Sequence, residues 1–104
     1  MLSLSDYKMV EKDPMGTQAL IKIGDYTLSV ITGPGAYGGG IGKYEIGIFN
    51  EEGEFTQLPG IHKEVDDDVI GYLTAAEVDL IILKLYYASG GVQPVQVNGD
   101  MVEA

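Results

Sequence analysis

TQALIKIGDYTLSVITG, residues 17–33, decides the fold. Ala19, Ile21 and Ile23 alternate with Leu20 and Lys22; Tyr26, Leu28 and Val30 alternate with Thr27 and Ser29. A period of two with β-branched residues is the mark of strands that show one face to a core. Gly24-Asp25 between them predicts a tight hairpin link.

Downstream, KYEIGIFN (43–50) repeats the pattern, with Tyr44, Ile46 and Ile48 on one face and Lys43, Glu45, Gly47 and Phe49 on the other. A polar turn follows at Asn50-Glu51-Glu52-Gly53-Glu54, then FTQLPGI as a short strand that Pro59 and Gly60 either end or mark as an edge. HKEVDDD is a charged loop, and VIGYL (69–73) one more short strand. Thr74 and Glu77 form a capping box that opens a helix through VDLIILKLYYAS to Ser89-Gly90-Gly91. Strands followed by a helix predict an α+β fold: an antiparallel sheet of four to five strands with one C-terminal helix packed across it. The chain reads as a single domain, 1–104: an N-terminal segment 1–16, sheet 17–73, helix 74–89, and a tail or small hairpin 90–104. The hairpin option rests on Asn98-Gly99.

Composition narrows the function classes. The 104 residues are 45% hydrophobic, enough for one packed core. Cysteine is absent, so disulfides, thiol catalysis and cysteine-based zinc sites are excluded. No apolar run reaches the ~20 residues of a membrane span, and the start lacks signal-peptide character. The expectation is a cytoplasmic protein with no membrane partner. Sixteen acidic residues against six lysines and no arginine give a net charge of −10. Such a chain is repelled by nucleic acid and attracted to basic protein surfaces.

The glycine-rich stretch Gly33-Pro34-Gly35-Ala36-Tyr37-Gly38-Gly39-Gly40 satisfies G-x-G-x-x-G. A dinucleotide loop must open a helix, whereas this one runs into KYEIGIF, a strand pattern. The phosphate-loop pattern also fails, because Tyr37 stands where its first glycine belongs and Tyr44 follows Gly42-Lys43. What remains is a mobile hairpin loop with an exposed Tyr37, or an anion pocket built from backbone N–H groups of Gly33, Gly35, Gly38, Gly39 and Gly40.

Other chemistry is sparse. His62, the sole histidine, reads as a solvated loop residue. Asp66, Asp67 and Asp68 lack the spacing of a calcium loop. No catalytic residue, metal site or cofactor is predicted. The helix is apolar most of the way round, with Val78, Ile81, Ile82 and Leu85 on one face and Leu80, Leu83 and Tyr87 on another. It therefore needs a second cover besides its sheet: the termini, a second copy, or a foreign partner.

Val30-Ile31-Thr32-Gly33, Tyr37-Gly38, Tyr44-Glu45-Ile46-Gly47-Ile48-Phe49 and Asp67-Asp68-Val69-Ile70-Gly71-Tyr72-Leu73-Thr74 before Glu77-Val78 together resemble a class of small phage-encoded proteins. The resemblance implies action on a host component or within a virion, and carries over no functional residue. The resulting expectation is a non-enzymatic interaction protein that binds and modulates a host protein with a basic surface. Tyr37 and the acids Glu51, Glu52, Glu54, Glu64, Asp66, Asp67 and Asp68 are its contact candidates; Leu80, Leu83 and Tyr87 are the homodimer face. A nucleotide-sequestering protein and a virion accessory protein are the alternatives.

Overall fold

In the computed structural model the described residues are 2–12, 16–34, 36, 41–62 and 68–98. Strands β1 (Val10–Glu11), β2 (Thr17–Ile23), β3 (Tyr26–Thr32), β4 (Tyr44–Phe49) and β5 (Val69–Leu73) precede helix α1 (Ala75–Ala88), and β6 (Val95–Gln96) follows it. The six strands form one antiparallel sheet in the order β1-β2-β3-β4-β5, with β6 also paired to β2. The α+β expectation holds.

The alternation read from the sequence selects the core face. Ala19, Ile21, Ile23, Leu28, Val30, Ile46 and Ile48 share that face and are fully buried. Their register lines them up across strands: Ala19 opposite Val30, Ile21 opposite Leu28, Val30 opposite Ile46 and Leu28 opposite Ile48. α1 lays Val78, Ile81, Ile82 and Leu85 onto them. Burying an aliphatic side chain of this size contributes ~2 kcal/mol before entropy is counted.

α1 begins where the capping box places it. Thr74 Oγ1 accepts from the Glu77 N–H at 3.2 Å, and Glu77 Oε1 accepts from the Thr74 N–H at 2.8 Å. It stops in a Schellman motif: the Gly90 N–H donates to Tyr87 O and the Gly91 N–H to Tyr86 O. Both glycines have φ near the left-handed region, +84° and +85°.

Part of the second cover of α1 is the N-terminal segment. A 3-10 turn, Leu4–Asp6, sets Leu4 into the core at 6% exposure, and the Leu4 N–H donates to Asp79 Oδ1 at 2.6 Å. Of the predicted second helix face, Leu83 is half-buried, while Leu80 and Tyr87 stay 50% and 71% exposed.

Three expectations need correction. FTQLPGI is not a strand; it makes only single bridges, Phe49 with Phe55 and Pro59 with His62, because the chain turns back through Asn50 and again at Pro59-Gly60. The segment after α1 is not a loose tail where it is described but a strap along β2; the turn and second arm of the hairpin expected at Asn98-Gly99 lie outside the described residues. β6 pairs there, the Val97 N–H donates to Leu20 O, and Asn98 Oδ1 accepts from the Leu20 N–H while Nδ2 donates to Gln18 O. Gln96 repeats the device on Lys8, its Oε1 accepting from the N–H and its Nε2 donating to the carbonyl. His62 is half-buried, and its Nδ1 accepts from the Leu58 N–H at 3.1 Å, which places the ring proton on Nε2 and closes the 58–62 turn.

Candidate functional site

The register fixes where the acidic residues stand. β2 ends at Ile23, β3 starts opposite it at Tyr26, β4 ends at Phe49 opposite Thr27, and β5 starts at Val69 opposite Gly47. Asp25, Glu51, Glu52, Glu54 and Asp68 therefore all lie at one end of the sheet, and all are exposed. The C-terminus of α1 is at this same end, since Ser89 abuts Gly24 in the β2–β3 turn. That terminus carries partial negative charge, and no basic residue occupies its last turn. Lys22 also stands here, its Nζ donating to Gly24 O at 2.8 Å.

Two of these acids, Glu51 and Asp25, come from separate turns and act on one another. Hydrogen bonding with Asp25 and its charge, then desolvation and the Glu52 charge, raise the Glu51 carboxyl from its ordinary value, with Lys22 pulling the other way. Asp25 was not singled out in the sequence; only the register joins its turn to the one after β4. Glu64, Asp66 and Asp67 lie outside the described residues. Among the described residues no group of three or more His, Cys, Asp or Glu is arranged to hold a metal ion.

The Gly33–Gly42 connection leaves from the opposite end. β3 is seven residues long, so its two ends are roughly 20 Å apart. The described anchors of the connection, Thr32 to Pro34 and Gly42-Lys43, therefore stand at the pole opposite the acidic turns; Tyr37, grouped above with those acids as one contact set, lies outside the described residues. The described anchors of the loop are tight. Thr32 Oγ1 donates to Lys43 O at 2.7 Å, and the Ala36 N–H donates to Gly33 O. Gly33, at φ +119°, lies back-to-back with Gly16, at φ +113°. β4, not a helix, follows the loop. Gly35 and Tyr37 to Gly40 lie outside the described residues.

Sequence reasoning missed a third feature, on the sheet face away from α1. Ser29 is only 8% exposed there, although among the described residues no helix covers that face. It sits in the floor of a concavity of about 250 Å³, beside its cross-strand partner Gly47. Ile31, Phe49, Phe55 and Val69 form walls, and Lys12, Gln18 and Glu45 complete the lining. The Phe49 and Phe55 rings lie 4.6 Å apart at 30°. Gly47 makes the fit possible, because a Cβ there would come within 2.9 Å of Phe55 Cε1. Gln18 Nε2 donates to Ser29 Oγ at 2.9 Å. The one sequence signal was a glycine inside a strand, which marks close approach by another group.

Comparison with protein-family models, with curated proteins and with solved structures returns no significant match. Among the described residues no helix is long and apolar enough to cross a membrane.

Proposed function

We propose that this chain is a non-enzymatic binding protein that docks on a basic surface of another protein through its acidic pole and modulates that partner. The observation that carries this reading is the gathering of five exposed acids, Asp25, Glu51, Glu52, Glu54 and Asp68, at one end of the sheet. Like charges crowded at one pole favour a state in which a cationic surface lies against them. The negative end of α1 adds to the same field. The resemblance to small phage-encoded proteins implies a host protein as that partner.

The test is retention of host-lysate proteins on the immobilised chain as salt is raised, with a Glu51→Gln/Glu52→Gln/Glu54→Gln variant beside it. A partner lost with rising salt, and lost at lower salt on the variant, supports the reading. Capture indifferent to both overturns it.

A further inference from the structure

We infer that the concavity on the open face of the sheet is a socket for a basic side chain of the partner, an arginine or lysine whose stem lies against the Phe49–Phe55 pair. This rests on the proposed function and specifies where the partner is read.

The volume, about 250 Å³, suits one long side chain and falls below the ~300–1,000 Å³ of small-molecule pockets. The walls at the β5 side are aromatic and aliphatic, and Phe55 remains 47% exposed beside the opening. An aromatic face next to an apolar wall accepts the methylene stem of a long cationic side chain and attracts its head.

Charge selects the sign of the occupant. Phe49, Phe55 and Val69 stand towards the end of the sheet that carries Glu51, Glu52, Glu54 and Asp68, whereas Glu45 and Lys12 line the other end of the concavity. A side chain inserted at the Phe55 end enters the negative field of that acidic pole. The acidic pole and the concavity thus adjoin: the pole steers a basic partner, and the socket fixes its register.

The probe is a fluorescein-labelled arginine–glycine repeat peptide, with its citrulline counterpart as the uncharged control. Binding to the full chain is followed by anisotropy at low and at high salt. The expected result is salt-sensitive binding of the arginine peptide and little of the citrulline one. Phe55→Leu keeps apolar bulk but removes the ring, and is expected to weaken binding about tenfold; Phe55→Tyr retains it. Circular dichroism confirms that each variant is folded. Leu80→Ser, on the exposed side of α1, leaves binding unchanged. Salt-sensitive binding that Phe55→Leu does not alter, but Glu51→Gln/Glu52→Gln weakens, overturns the socket and leaves the acidic-pole reading standing. Binding lost through Leu80→Ser places the peptide on the helix and overturns the socket. No binding of the arginine peptide to the parent chain overturns both.

Discussion

Gly33 and Gly16 pack backbone to backbone: a Cβ on Gly33 would stand 2.4 Å from the Gly16 Cα, and one on Gly16 would stand 2.5 Å from Thr32 O. Both lie at φ values open in practice to glycine alone, +119° and +113°. The first glycine of the G-x-G-x-x-G pattern therefore has a structural cause: it lets the chain before β2 cross the end of β3.

Gly33→Ala is accordingly expected to destabilise by about 3 kcal/mol, strain and steric clash together. Gly42→Ala, at φ +79° with open space around it, is expected to cost about 1 kcal/mol. Urea unfolding of the two variants checks the ordering.

Tyr72 has φ 59°, the one positive value at a non-glycine among the described residues. It shares with Gly71 the place opposite Glu45, since Tyr44 pairs with Leu73 and Ile46 with Ile70. This is a β-bulge in an edge strand, and its side chain is exposed. Tyr72→Gly is expected to stabilise by about 1 kcal/mol, read as a higher urea midpoint with the slope unchanged.

The strap on β2 predicts a local effect. Asn98→Ala removes the acceptor for the Leu20 N–H and the donor for Gln18 O. Hydrogen exchange at Leu20 is expected to accelerate far more than at Leu28, in the core of β3. Equal acceleration at both would show that the strap opens only with the whole fold.

Glu51 predicts a pH effect of known sign. Its carboxyl holds a proton to higher pH when folded than when unfolded. The folded state thus binds more protons in the window above the ordinary glutamate value, and the contribution is lost as pH rises through the folded pKa. Stability should fall from about pH 4 upward, and Glu51→Gln should flatten that fall more than Glu54→Gln, which removes the same charge. The group is exposed, so added salt should shrink the difference. Melting temperatures across the pH range measure it.

The parts of the fold legible in the sequence were those set by local patterning. Alternation in 17–33 and 44–49 named the core face residue by residue, and Thr74 with Glu77 named the start of α1. What escaped depended on distant residues. β6 is two residues long and is held by Gln96 and Asn98 against backbone some eighty positions earlier, a pairing no window contains. His62 looked solvated because nothing nearby in sequence announced that Leu58 would turn back to it. The acids at the pole were visible, but Asp25 joined them only through the β3–β4 register. The concavity was hidden because a strand glycine, Gly47, signals that some group comes close without saying that the group is Phe55.

Gln96 and Asn98 finally say something about the ends of the molecule. Two amide side chains stand in for a missing length of backbone, Asn98 along the outer seam of β2 and Gln96 on Lys8 just ahead of β1. Proteolytic trimming ahead of Gln96 would strip that seam and leave an adhesive border, ready to zip onto a neighbour and seed fibrils.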